Sequence, residues 1–265
     1  MSKAIIELRD VTRRFGGLVA VDGVSFSVEP GEIFAFLGPN GAGKSTTIKM
    51  MTTLLRPTSG RLLLDGHDVE RAQDAARKAF GIVFQDSSVD NELTAYENME
   101  LHAVLYGMSG RKMRERINEL LELVHLEGRS KSYVKTFSGG MIRRLEIARG
   151  LLHQPKILFL DEPTLGLDTQ TRTMLWDYVK KLRHDQGMTV FLTTHYIEEA
   201  EDVADRIAVI DHGRIVAMGS TSELTRQTKT GSLEAAYLAL TGKAIRDEEA
   251  DATDKFRARV RSRRR

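Results

Sequence analysis

The sequence contains no cysteine, which excludes disulfide bridges, thiolate zinc sites and cysteine nucleophiles. It also has no apolar run near the roughly 18 residues that a membrane-spanning helix needs. The first ten residues show no basic stretch followed by an apolar core, so no export signal is expected. We therefore expect a soluble, cytoplasmic chain whose membrane role, if it has one, runs through a partner.

The small net charge of +2 is unevenly distributed along the 265 residues. The last nine residues carry six arginines, and without them the chain would carry about −4. The high pI is thus an effect of the tail and says little about nucleic-acid binding by the folded part; we expect no nucleic-acid partner. We predict that this tail is solvated and disordered, with attraction to anionic lipid as the alternative. The six residues are Arg257, Arg259, Arg261, Arg263, Arg264 and Arg265.

The stretch GPNGAGKST, residues 38–46, fits the phosphate-binding pattern G-x-x-x-x-G-K-[ST]. An apolar run at 33–37 precedes it, and apolar residues at helical spacing follow it, as in a strand–loop–helix unit. Glycines let backbone N–H groups approach a phosphate, and the positive end of the helix faces the same anion. Lys44 could bridge the β- and γ-phosphates, and the Ser45 hydroxyl could hold Mg²⁺. The expected nucleotide-binding residues are Gly38, Pro39, Asn40, Gly41, Ala42, Gly43, Lys44, Ser45 and Thr46.

Short apolar or β-branched segments at 5–8, 19–28 and 62–64 predict a small antiparallel sheet around the phosphate-loop strand. Phe15 precedes Gly16-Gly17 in a turn of that sheet. A core position would be an ordinary place for this ring. The neighbouring glycines and arginines favour a loop instead, where the ring could stack on a nucleotide base.

The region of about 87–150 is predicted to be a helical insertion between strands of the core sheet, after a strand at 82–84 that ends at Gln85. Thr94 and Glu97 form a capping box, and a second apolar helical face runs to Gly128. A third helix opens at Phe137-Ser138-Gly139-Gly140-Met141 with Ser138 as its N-cap. The serine hydroxyl and the two glycine amides at that helix tip could form a second anion site, although a plain capped helix fits equally well.

A fully apolar strand, Ile157 to Leu160, ends on Asp161 and Glu162. Beside a phosphate loop the two carboxylates could have different roles. Asp161 could complete the Mg²⁺ shell, and Glu162 could orient or deprotonate the attacking water. The next apolar strand, 189–194, ends at His195. Ligands of open α/β sheets bind at the carboxyl edge of the strands, so His195 could contact the γ-phosphate or hold the water.

These motifs, in this order, resemble the motif set of an ATP-binding cassette (ABC) ATPase over about residues 4–220. The resemblance implies a P-loop α/β fold with a RecA-like core sheet, an antiparallel β subdomain and a helical insertion. The segments that carry it are GPNGAGKST, Gln85, FSGGM, LFLDEP, LGLD and TTH.

The resemblance also assigns roles to matching residues. Phe15 would stack on adenine, and Gln85 would sense Mg²⁺ and the attacking water and relay to a membrane partner. Glu162 would be the catalytic carboxylate and His195 the γ-phosphate switch, while Asp168 would couple the two sites of a dimer. The signature departs from L-S-G-G-Q because Phe137 and Met141 replace its ends, but Ser138, Gly139 and Gly140 are retained.

In this family the signature of one subunit covers the nucleotide held by the phosphate loop of the other. The resemblance therefore implies a head-to-tail dimer with ATP and Mg²⁺, attached to a separately encoded ABC permease at the cytoplasmic face of the membrane. FSGGM, TTHYIEEAE and LTGKAIRDEE are similar to drug-export ATPases of the daunorubicin-resistance type. The alternative is a soluble cassette ATPase acting on nucleic acid or ribosomes, and the absence of N-K-x-D disfavours a GTPase. We divide the chain into a cassette, residues 1–220, and an extension, 221–265.

Overall fold

The computed structural model describes residues 4–242, and the arginine-rich tail predicted from the sequence lies outside them. An antiparallel sheet of four strands has the order β2-β1-β4-β5. The hairpin of β1 and β2 turns at Gly16-Gly17, with Phe15 paired to Leu18. This confirms the antiparallel sheet that the sequence predicted. Its strands are β1 (Ile6–Phe15), β2 (Leu18–Val28), β4 (Ser59–Leu64) and β5 (His67–Asp68).

The central sheet has six strands in the order β10-β9-β3-β8-β7-β6, and every pair in it is parallel except β10 with β9. Strands β3, β7 and β8 are buried along their whole length, which explains their apolar sequences. The strands are β3 (Ile33–Leu37), β6 (Phe80–Val83), β7 (Ile157–Asp161), β8 (Thr189–Thr194), β9 (Arg206–Asp211) and β10 (Arg214–Gly219).

Helices surround this sheet, and three of them lie between β6 and β7, where the sequence predicted a helical insertion. Within residues 4–242, no helix combines the length and apolar character that a bilayer crossing requires. The helices are α1 (Lys44–Met51), α2 (Gln73–Ala79), α3 (Ala95–Leu105), α4 (Gly110–Leu123), α5 (Gly139–Gly150), α6 (Thr169–Gln186), α7 (Ile197–Val203), α8 (Thr221–Thr228) and α9 (Leu233–Thr241).

Stacked phenylalanine rings join the two sheets. Phe26 on β2 lies 5.2 Å from Phe34 on β3, and Phe34 lies 5.7 Å from Phe191 on β8, measured between ring centroids. The opposite face of the central sheet packs against helices, including α8 and α9 through the buried side chains Leu224 and Tyr237. The division at residue 220 stays a prediction, but these two helices pack on the same core as the rest.

Two element boundaries differ from those predicted. The strand expected at 82–84 is Phe80–Val83, and the carbonyl of Phe84 instead accepts a hydrogen bond from Arg143. Helix α4 ends at Leu123 rather than at Gly128, because His125 adopts a left-handed backbone conformation with φ of 54°. The predicted capping box of Thr94 and Glu97 is present at the start of α3.

Candidate functional site

The phosphate loop joins β3 to α1 and is held tightly against its surroundings. A Cβ atom on Gly43 would lie 2.5 Å from the Ala20 carbonyl oxygen, and Gly43 has a φ of 106°. A Cβ atom on Gly38 would lie 2.3 Å from the Ile210 carbonyl oxygen. Only glycine fits at these two positions, so the loop has a fixed shape defined by β2 and β9.

Lys44, the first residue of α1, is 4% exposed and points back into this loop. Its ammonium donates hydrogen bonds to the carbonyl oxygens of Gly38 at 2.7 Å and Pro39 at 3.0 Å. It also lies 3.2 Å from Glu162 Oε1. A buried ammonium group is stable only when it is paired, and these oxygens supply the pairing.

Glu162 follows β7, and its carboxylate lies between two basic side chains. In addition to Lys44, His195 places Nδ1 at 3.3 Å from Glu162 Oε2. Burial acts to raise the pKa of Glu162, but the hydrogen bond from His195 and the charge of Lys44 outweigh it and lower the pKa. The backbone of Glu162 has a φ of 47°, an uncommon conformation for this residue type that is found at functional sites.

Asp161, the last residue of β7, faces Ser45. The Ser45 hydroxyl donates to Asp161 Oδ1 at 3.3 Å. Burial raises the pKa of Asp161, against the hydrogen bond from Thr193, so a cation beside this carboxylate would relieve an unfavourable charge. Among residues 4–242 no cluster of three His, Cys, Asp or Glu side chains forms a metal cage. Two oxygen donors without such a cage suit Mg²⁺, which keeps water and phosphate oxygens as its other ligands.

Thr193 was not identified from the sequence, although it bonds to the Asp161 carboxylate and to the Glu162 backbone. Its hydroxyl donates to Asp161 Oδ1 at 2.6 Å and accepts a hydrogen bond from the Glu162 backbone N–H at 3.1 Å. The Glu162 N–H also faces the Thr193 carbonyl oxygen at 3.2 Å. A threonine near the end of an apolar strand, opposite the acidic pair, was the only signal available.

Gln85 lies two residues beyond β6 and is exposed. Its carbonyl oxygen accepts a hydrogen bond at 2.8 Å from the buried Arg143 on α5. Arg143 also pairs with Glu146 at 3.0 Å. Sequence analysis missed this pair, whose signal is an Arg and a Glu three residues apart among the apolar positions of α5. Through Arg143, the segment of Gln85 is fixed to the helix that carries the signature.

The signature tip, defined here as Ser138, Gly139 and Gly140, starts α5. The Ser138 hydroxyl caps the helix by accepting from the Met141 N–H at 3.3 Å, which confirms the predicted N-cap. Ser138 and Gly139 are exposed, whereas a Cβ atom on Gly140 would lie 2.4 Å from Thr171 Cγ2. The signature tip therefore packs directly against the start of α6.

Asp168 caps α6 beside the signature tip. It accepts hydrogen bonds from the Thr171 N–H at 2.9 Å and from the Thr171 hydroxyl at 2.7 Å. The hydrogen bond from the Thr171 backbone is the main cause that lowers the pKa of Asp168. Asp168 is exposed, so the tip and this carboxylate form one surface of the chain.

Phe15 ends β1 and is 45% exposed. The guanidinium of Arg13 lies 4.5 Å from its ring centroid and covers part of the ring. The hairpin of β1 and β2 lies close to the phosphate loop, as shown by the Ala20 carbonyl oxygen of β2, which leaves no room for a Cβ atom on Gly43. The ring is thus partly exposed, but Phe15 is the last residue of a strand and not part of the loop that the sequence predicted, and its stacking on a base stays a prediction.

Five of the predicted residues form two bonded sets: Lys44 and His195 pair with Glu162, and Ser45 donates a hydrogen bond to Asp161. The two sets adjoin because Lys44 precedes Ser45 and Asp161 precedes Glu162, and all five residues lie at the carboxyl edge of the central sheet. Gln85 reaches the same edge beyond β6. The signature tip and Asp168 form a separate surface.

Comparisons with known proteins agree with this arrangement. The family model described as ABC transporter matches residues 21–165. The chain is 48% identical over 219 residues to the daunorubicin/doxorubicin resistance ATP-binding protein DrrA of Streptomyces peucetius, covering 83% of this chain and 66% of that protein. It is 42% identical over 221 residues to a Nod factor export ATP-binding protein of Cupriavidus metallidurans, covering 83% and 73% of the two chains. The chain thus spans about two thirds to three quarters of these relatives.

Solved structures show the same fold. An ATP-binding subunit of an ABC transporter superposes with a TM-score of 0.80 at 31% identity, covering 89% of this chain and 99% of that one. A dimeric ATP-binding cassette in a post-hydrolysis state, bound to ADP and Pi, gives a TM-score of 0.73 at 31% identity over 81% and 98% of the two chains.

Proposed function

This chain belongs to the ABC transporter family, and we propose that it is the ATP-hydrolysing subunit of an export system for a drug or another amphiphile. It binds ATP and uses hydrolysis to drive a separately encoded membrane permease, which holds it at the cytoplasmic face of the membrane. The observation that carries the proposal is the buried group of Lys44, Glu162 and His195 beside the phosphate loop. The names of the relatives, which specify drug resistance and Nod factor export, support the export role.

ATP offers the Lys44 ammonium phosphate oxygens in place of the carbonyl oxygens of Gly38 and Pro39. When Lys44 turns to the phosphates, the Glu162 carboxylate loses its ammonium partner and keeps His195 as a neighbour. The charge of Lys44 helps to lower the pKa of Glu162, so its departure makes this carboxylate a better proton acceptor for the attacking water, which it can also orient. His195 lies on the other side of that carboxylate, where its imidazole can contact the γ-phosphate.

Ser45 and Asp161 would hold Mg²⁺ through their oxygens, and Gln85 would contact its water shell from the neighbouring strand end. The ion would supply positive charge that offsets the charge developing on the phosphate oxygens. Phe15 would stack on the adenine. The signature tip would meet the γ-phosphate bound to a second chain, with Asp168 at the same contact, in a head-to-tail dimer. The solved dimeric cassettes support this assembly.

A groove of about 600 Å³ beside α3 supports a permease partner. Two side chains that line it, Leu54 and Leu105, are 62% and 74% exposed. Phe84 lines the same groove and is followed directly by Gln85. We propose that an apolar cytoplasmic segment of the permease occupies this groove. A segment bound there would contact Phe84, the residue next to Gln85, so its movement could shift Gln85.

The test is copurification from native membranes. We expect one integral membrane protein to copurify with the full chain. The variant Leu105→Glu should no longer copurify with that protein, while the isolated variant should still hydrolyse ATP. Met174→Glu is the matched control, since Met174 is an exposed apolar residue of α6 that is not part of the groove. Recovery of RNA, DNA or ribosomes instead of a membrane protein would contradict the proposal.

A further inference from the structure

A further buried carboxylate lies behind the proposed site. Glu199 on α7 is only 4% exposed. Its Oε1 accepts a hydrogen bond from the Thr164 hydroxyl, and its Oε2 accepts one at 2.9 Å from the Thr194 hydroxyl. Arg172 of α6 places Nε at 3.5 Å from Oε1. No role has been assigned to this residue above, and we call these four residues the Glu199 clasp.

The two threonines of the clasp belong to the two segments that carry the proposed chemistry. Thr164 is two residues after Glu162, in the turn that leads to Asp168, and its carbonyl oxygen accepts from the Leu167 N–H at 3.0 Å. Thr194 directly precedes His195, and its hydroxyl also accepts from the Tyr196 N–H at 2.9 Å. One carboxylate therefore joins the segment of Glu162 to the turn of His195.

Stability alone is a poor reason for a carboxylate at this place. Taking a charged group out of water costs free energy, and apolar residues of similar volume often replace buried ion pairs without loss of stability. Burial raises the pKa of Glu199, although hydrogen bonds from both threonines oppose it. What an apolar side chain could not do is bond to two hydroxyl groups on different segments.

We infer that Glu199 is a positioning residue for ATP hydrolysis, which holds the segment of Glu162 and the turn of His195 at the spacing that their 3.3 Å contact requires. The inference rests on the roles proposed above for Glu162 and His195. Because Arg172 and the Leu167 N–H connect the clasp to α6 and its capping turn, it also links Asp168 to His195. When the proposed dimer closes at Asp168, the clasp would transmit that movement to Glu162 and to His195.

The test is steady-state ATP hydrolysis by the full chain. We expect Glu199→Ala to lower kcat by about 10–100-fold, because displacements near 1 Å at a reacting centre have effects of this size. The KM for ATP should stay within about threefold, since the contacts of Lys44 and Phe15 are untouched. Glu199→Gln keeps an oxygen acceptor of the same shape and should recover most of kcat, which a loss of charge alone would not predict.

Thr164→Val removes one arm of the clasp while keeping the shape of the side chain. We expect Thr164→Val to lower kcat as well. The double variant with Glu199→Ala should be no slower than Glu199→Ala alone, because both changes break the same link. Glu198→Ala, an exposed glutamate on the same helix, is the control and should behave like wild type.

The inference is overturned if Thr164→Val retains full kcat, or if the double variant shows the product of the two single fold-reductions in kcat. It is also overturned if Glu199→Ala changes only the KM for ATP. If circular dichroism shows that Glu199→Ala does not fold, the kcat values of Thr164→Val and Glu199→Gln still test the inference. Glu162→Gln is measured in parallel: normal turnover there would refute the proposed function itself. An inactive Glu162→Gln beside a fully active Thr164→Val would refute only the clasp.

Discussion

The two surfaces that are proposed to grip one nucleotide are built in opposite ways. On the phosphate-loop side, Lys44, Glu162 and His195 are each less than one tenth exposed, and Glu162 contacts both of the others. On the signature side, Ser138 and Gly139 are exposed at the tip of a helix. The first surface is complete within a single chain, whereas the second faces outward.

This difference follows from the chemistry of each surface. A buried ammonium and a buried carboxylate are stable only with partners, so the phosphate-loop side must supply them itself. The first N–H groups of a helix have no partner within the helix, and they can remain in water until an anion arrives. A capped, exposed helix tip is therefore suited to a ligand held by another molecule, and changes on the two sides should have separable effects.

The largest effect is expected for Glu162→Gln. Removal of the carboxylate that accepts a proton should lower kcat by about 10²–10⁴-fold, while ATP binding is retained because Lys44 and the loop are unchanged. The variant should accumulate as an ATP-bound dimer in size-exclusion chromatography with light scattering. Glu234→Gln, an exposed glutamate of α9, is the control. A kcat near that of the control would remove Glu162 from the catalytic role.

Lys44→Ala tests whether the phosphate-loop side binds ATP by itself. It removes the ammonium that is proposed to bind the phosphates and deprives Glu162 of its lysine partner, so ATP affinity should fall by about 10²–10³-fold. Equilibrium titration with a fluorescent ATP analogue measures this. Lys49→Ala is matched to it, because Lys49 lies on the exposed face of the same helix. Equal affinities of the two variants would mean that the loop does not hold the phosphates.

His195→Ala should separate binding from turnover on the same surface. The loss of one preorganised group at the γ-phosphate should lower kcat by about 10²-fold, with ATP affinity changed little. His67→Ala, at an exposed histidine of β5, should be unaffected. If His195→Ala lost affinity instead of turnover, His195 would be part of the binding surface and not of the hydrolytic group.

Apolar patterns and motif spacing predicted the phosphate-loop side well. The runs that end at Asp161 and His195 are buried strands, so their last residues had to meet at one sheet edge. The capping residues Thr94 and Ser138 were also readable, because a cap is a local interaction. Contacts that depend on local pattern or on the order of parallel strands could thus be inferred from the chain alone.

Supporting contacts between distant segments could not be predicted. Arg143 and Glu146 occupy a helix of largely apolar inward positions, and only the fold shows that Arg143 meets the carbonyl oxygens beyond β6. Thr193 resembles any other β-branched strand residue until the structure shows its hydroxyl bonded to the Asp161 carboxylate and to the Glu162 backbone N–H. Hydrogen bonds of this kind depend on which strands are neighbours, and a single sequence does not encode that in a local pattern.

Ser138→Ala addresses the outward-facing surface and should have the smallest effect on an isolated chain. The loss of the cap should lower the free energy of unfolding by about 1 kcal/mol, measured by chemical denaturation, with ATP affinity unchanged. Combined with Glu162→Gln, it should weaken ATP-dependent dimer formation by about tenfold or more, because one hydrogen bond to a charged phosphate is lost at each of the two sites. Ser109→Ala is the control, since Ser109 also precedes a helix but its side chain makes no capping hydrogen bond. If Ser138→Ala weakened ATP binding by the monomer, or left the dimer intact, the two surfaces would not be the two halves of one nucleotide site.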